Sequence, residues 1–197
     1  PSSAYAWLAR SAYLWMYERG WLGAEDALTR ARELDPENPY VLQYSAFHTY
    51  MLGRFDEAVS YLERMTEAGH RSATADVYRV MIKGYRAGHG EMDLEIPIRE
   101  MVALTSAYPD YETTHLYRSI LLSFAERSEE ALAAVEACLQ SAPDVPLAHG
   151  MRGAILAALG RVEEAREEEE WFRSSQDLET VERFSWAVIP FRLGEND

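Results

Sequence analysis

Apolar positions recur along this chain in steps of three and four, the spacing of one face of an α-helix. Leu147, Met151, Ala154, Ile155 and Ala158 show it clearly. No stretch alternates apolar and polar residues between turn signals, so the pattern predicts helices and no strands. Two breaks set a frame: Leu52-Gly53-Arg54-Phe55-Asp56-Glu57-Ala58 and Leu159-Gly160-Arg161-Val162-Glu163-Glu164-Ala165. Ala125-Glu126-Arg127-Ser128-Glu129-Glu130-Ala131 is a degenerate copy. Gly160 is placed to end its helix in the left-handed conformation. Glu163 and Glu164 then fall in the first turn of the next helix and suit its positive end. Small residues (Ala12, Ala46, Gly153, and the series Ala24, Ala58, Ala131, Ala165) recur where paired helices must approach closely. Pro36 and Pro143 stop second helices.

Matching positions lie 34 residues apart, from Ala24 to Ala58 and from Ala131 to Ala165. The frame predicts five helix-turn-helix units, about 5–38, 39–72, 73–111, 112–145 and 146–179, then a tail helix at about 180–189. Unit three is about five residues too long, and the excess falls in Gly88-His89-Gly90-Glu91-Met92-Asp93.

Composition narrows the use of such an array. The 197 residues are 48% hydrophobic, so a sizeable core is within reach and disorder is not expected. With 33 acidic against 19 basic residues the net charge is −14, which argues against nucleic acid and anionic membranes as partners. No run approaches the length of a membrane span. One cysteine, Cys138, forms no internal disulfide, which points to a reducing compartment and a cytoplasmic location. The chain opens on Pro1 and reads as a piece of a longer protein.

The 34-residue period, the Gly-x-hydrophobe-x-Glu-Ala turn and the terminal prolines resemble tetratricopeptide (TPR) repeats over nearly the whole chain. The resemblance implies an all-α, right-handed superhelix, an α-solenoid running as a single array over 1–197. Ala4-Tyr5-Ala6-Trp7-Leu8-Ala9 with Trp21-Leu22-Gly23-Ala24-Glu25-Asp26-Ala27, and Ile189-Pro190-Phe191-Arg192, also resemble TPR regions of certain bacterial multidomain proteins. There the array follows a nucleotide cyclase, a winged-helix transcription regulator or a protein kinase. That resemblance implies the regulatory or sensor region of a larger signalling protein, acting by self-association.

In a TPR superhelix the first helix of each pair lines the concave face. The resemblance therefore implies a groove of Arg10, Tyr13, Tyr17, Tyr40, Tyr44, Phe47, Tyr50, Tyr78, Met81, Tyr85, Tyr117 and Phe124. Such a groove suits a protein or peptide partner, an amphipathic helix or extended segment with apolar anchors. The same side chains equally suit packing between neighbouring first helices. Excess apolar surface at the ends, with the groove, favours a homodimer. The carboxylate clamp of chaperone-binding arrays is missing, since Ala9, Tyr13, Gln43 and Phe47 stand at its positions.

No catalytic motif is recognisable: there is neither a Gly-x-Ser-x-Gly nucleophile elbow nor a phosphate loop. No metal or cofactor is expected. His115 and His149 share a position 34 apart and read as packing residues that stack on adjacent helices. His48 and His70 read as isolated, and Cys138 as a buried packing residue. The run Glu163, Glu164, Glu167, Glu168, Glu169, Glu170 reads as a solvated helix face. Trp171 and Phe172 are expected to pack under the tail helix.

Overall fold

The computed structural model describes residues 2–16 and 21–174. Among these, ten α-helices run in chain order with no strand. They are α1 Ala4–Met16, α2 Trp21–Leu34, α3 Pro39–Met51, α4 Phe55–Glu67, α5 Ala73–Gly88, α6 Glu95–Ala107, α7 Thr113–Phe124, α8 Ser128–Ser141, α9 Pro146–Ala158 and α10 Val162–Ser174. The expected tail helix, Tyr17, and the segment that was to cover Trp171 lie outside the described residues. The chain forms two compact units, Pro1–Ile82 and Lys83–Asp197.

Three turns show why the chain breaks into hairpins where it does. Gly53, Glu126 and Gly160 occupy one position of the repeat and all have positive φ, 73°, 58° and 74°. In each turn the next residue's N–H reaches back five residues: Arg54 to Thr49 O, Arg127 to Leu122 O, Arg161 to Leu156 O, at 2.8 to 2.9 Å. These bonds satisfy helix-end carbonyls that otherwise lack partners. Glycine adopts that conformation freely, whereas Glu126 holds it against a Cβ clash of about 1 kcal/mol. Acidic pairs follow each turn, Asp56–Glu57, Glu129–Glu130 and Glu163–Glu164, in the first turns of α4, α8 and α10.

In the first unit α1 packs on α2 and α3 on α4, α2 also meets α3, and α1 meets α3. Ala24 and Ala58 are fully buried, as their spacing predicts. Ser11 Oγ donates to the Ala24 carbonyl at 2.9 Å, tying α1 to α2. Leu28, Val41, Leu42 and Leu62 fill the core, each leucine contributing about 2 kcal/mol by burial. Asn38 caps α3 through its Oδ1, which accepts from the Tyr40 and Val41 amides, and Pro39 opens that helix.

In the second unit α7 pairs with α8 and α9 with α10, while α6 meets α7 and α8 meets α9. Ala131 and Ala165 are again fully buried. Gly84 lets α5 come close to α7: a Cβ there would stand 2.3 Å from Leu121 Cδ2. Lys83 and Glu100 link α5 to α6 at 2.6 Å. At 16 residues α5 exceeds the 13 of α1, α3 and α9, so part of the excess length of unit three is helix and the rest is the 89–94 loop. Cys138 lies buried in α8, where burial, with Glu112 nearby, pushes its thiol up to about 11.

Candidate functional site

Helix α3 is apolar on nearly all sides, the mark of a helix covered by neighbours on more than one face. Val41, Leu42, Ser45, Ala46, Thr49 and Tyr50 are buried. Gln43, Tyr44, Phe47 and His48, spaced as one helical stripe, face a cavity of about 410 Å³. Its other walls are Ser11, Ala12 and Trp15 from α1 and Thr74 and Tyr78 from α5. All three helices are first helices of their hairpins, and every lining residue belongs to the first unit. Four aromatic rings share the wall. Trp15 meets Phe47 edge-on at 5.6 Å between centroids, and Phe47 stacks on Tyr78 at 5.7 Å. These offset and tilted geometries are the ones ring quadrupoles favour.

The lining holds no Lys, Arg, Asp or Glu. The one imidazole on its wall is His48, whose Nδ1 lies 2.8 Å from Glu25 Oε2 on α2. Glu25 Oε1 accepts from Arg32 Nη2 at 3.0 Å, and Trp15 meets the imidazole at 5.2 Å between centroids. The expectation that His48 is isolated is therefore corrected. Its partner sits beside Ala24, the small position where α2 faces its neighbours, which is why a residue 23 positions upstream reaches it.

The expected groove residues divide into groups. Tyr44, Phe47 and Tyr78 come together around the cavity. Tyr50 is buried and backs it, stacked on Tyr78 at 5.9 Å and tilted against Phe55 at 6.2 Å. Tyr13 and Tyr40 are more than half exposed, at 52% and 56%, Tyr40 lying 6.0 Å from Tyr5. Arg10 is exposed, with its guanidinium 5.5 Å over Trp7. Met81, at 1% exposure, is a core residue. In the second unit Tyr85 and Phe124 meet edge-on at 5.9 Å with both rings partly exposed. Tyr117 is half-buried, and burial with Tyr111 and Tyr85 beside it pushes its phenol up to about 12. Trp15 and Thr74 were not anticipated. Trp15 lies three residues beyond Ala12, so the small residue already marked the stripe that carries it.

The acidic run of α10 is only partly solvated, which corrects that expectation: Glu168 and Glu169 are buried at 5% and 6% exposure. α10 packs on α9, and Glu168 falls on the packed side. It receives His149 Nδ1 at 2.6 Å and Arg152 Nη1 at 2.6 Å. Trp171 stacks on the His149 ring at 3.8 Å and 14°. His115, at the equivalent position of α7, sits differently: burial first, then Arg118, lowers its titration below the ordinary histidine value. Among the described residues no group of three His, Cys, Asp or Glu could hold a metal ion, and no helix is long and apolar enough to cross a membrane.

No protein-family model matches the sequence, and no curated protein matches it. Solved structures do match. A thermophilic TPR protein of Thermus thermophilus superposes with a TM-score of 0.78 at 18% identity, covering 96% of this chain and 100% of its own. PilF of Pseudomonas aeruginosa gives 0.60 at 14% identity, covering 98% and 86%. MamA of Desulfovibrio magneticus gives 0.56 at 14% identity, covering 89% and 97%. Helical hairpins broken by left-handed turns, small residues buried at a 34-residue period and these superpositions give one conclusion: the described residues have the all-helical hairpin fold of tetratricopeptide repeat proteins.

Proposed function

We propose that this chain is a protein–protein interaction module that binds a peptide or amphipathic helix through the cavity between α1, α3 and α5. One observation carries the reading: four rings, Trp15, Tyr44, Phe47 and Tyr78, wall about 410 Å³ with no charged side chain among them. That volume suits one large apolar side chain of a partner. An ammonium or carboxylate would lose its water there without a counter-charge on the wall. Rigid aromatic walls gain contact area at small cost in side-chain entropy, and the Tyr44 and Tyr78 hydroxyls with the Gln43 amide supply hydrogen bonds to a peptide backbone. Tyr50, stacked behind Tyr78, keeps that wall in place.

Selection from a displayed random-peptide library tests the reading. Binders are expected to share a Trp, Phe or Leu anchor and to lose about a hundredfold in affinity to a Tyr44→Ala, Tyr78→Ala double variant that retains its helical circular dichroism. Binders indifferent to that double variant sink the proposal.

A further inference from the structure

His149 carries information that the binding reading does not use. Its Nδ1 lies 2.6 Å from Glu168 Oε2, and its Nε2 lies 2.7 Å from the Pro143 carbonyl oxygen. Carboxylate and carbonyl oxygens only accept hydrogen bonds. A neutral imidazole has one N–H and would set a lone pair against an acceptor at the second contact. Only the imidazolium donates to both.

We propose that His149 is held as an imidazolium and latches α10 onto α9, so that alkaline pH loosens this hairpin. The latch draws on every element around the ring. Pro143 comes from the turn between α8 and α9, Glu168 and Trp171 from α10, and Arg152 from α9 itself. Glu136 on α8 lies 3.9 Å from Arg152 Nε, so two cations face two carboxylates. The Trp171 ring, parallel to the imidazole at 3.8 Å, favours a cation on its face.

Burial by itself lowers the titration of His149, and Arg152 lowers it further. The hydrogen bond and charge of Glu168 and the bond to Pro143 outweigh both, and the net direction is upward. A raised folded value means that stabilisation is complete below the ordinary histidine range and is lost as pH rises through the folded value. Deprotonation leaves one N–H for two acceptors, Glu168 and the Pro143 carbonyl, and removes the imidazolium charge that faces Glu168. α10 then opens more readily, uncovering Trp171 and the face of α9 beneath it.

The test uses the full chain. Ring nitrogen NMR of His149 is expected to show both nitrogens protonated at about pH 7, with titration above that of a free histidine. A neutral tautomer at that pH overturns the proposal. His149→Gln is expected to lower the folding equilibrium at least tenfold at about pH 6, with the deficit shrinking at about pH 9. A deficit that stays the same across that range also overturns it. Should His149→Gln fail to fold, the NMR titration of the unaltered chain decides.

Discussion

Each unit links a tryptophan, a histidine, a carboxylate and an arginine in a chain of contacts, yet the two sets are arranged for different ends. In the first unit His48 pairs with Glu25 on the helix that precedes it in sequence, and its ring edges a cavity. In the second, His149 pairs with Glu168 on the helix that follows, and Trp171 lies flat on its ring. Glu25 is about a quarter exposed and Glu168 almost fully buried. The lesson concerns solvent. A carboxylate that water reaches can sit beside a recognition surface, while a carboxylate shut away from water makes helix docking depend on the charge of its partners.

The contrast can be broken most forcefully at the carboxylates. Glu168→Ala leaves His149 without its carboxylate and Arg152 with Glu136 alone at 3.9 Å, and urea unfolding is expected to show a loss of about 3 kcal/mol. Glu25→Ala removes a partner in a wetter place and is expected to cost about 1 kcal/mol by the same measurement. Equal losses would erase the distinction drawn between the two sets. A smaller effect lies in the turns: Glu126→Gly is expected to stabilise by about 1 kcal/mol, because the left-handed backbone then carries no Cβ. Gly160→Ala, at the equivalent position, is expected to destabilise by about the same amount. Thermal melts of the two variants moving in the same direction would contradict the shared turn geometry.

The fold was legible because its signals are local. A turn string and a buried alanine mark the hairpins α3–α4, α7–α8 and α9–α10, while α5–α6 carries no such string, and three- and four-residue spacing marks the helices. Even the degenerate string at Glu126 was readable, since the surrounding Arg and Glu-Glu-Ala pattern survives without the glycine. The site was only partly legible. Tyr44, Phe47 and Tyr78 follow from register alone, because first-helix positions face the same way. Register does not say how deep a side chain sinks, so Met81 and Tyr50 were placed with residues that line a surface. Pairs such as His48–Glu25 and His149–Glu168 join different helices at separations set by the crossing of hairpins, and no sequence spacing announces them. The acidic run on α10 misled because repeated glutamates look alike, although only some of them turn toward α9.

The chain contains a single cysteine, and its thiol keeps its proton far into the alkaline range. Buried and protonated, Cys138 is expected to escape maleimide chemistry at neutral pH. A cysteine introduced at the exposed Tyr13 or Tyr40 would be the one point where a fluorophore or spin label attaches, with no need to delete the native sulfur first. Distance measurements between such labels and a bound peptide could then place the peptide on the first unit directly in solution.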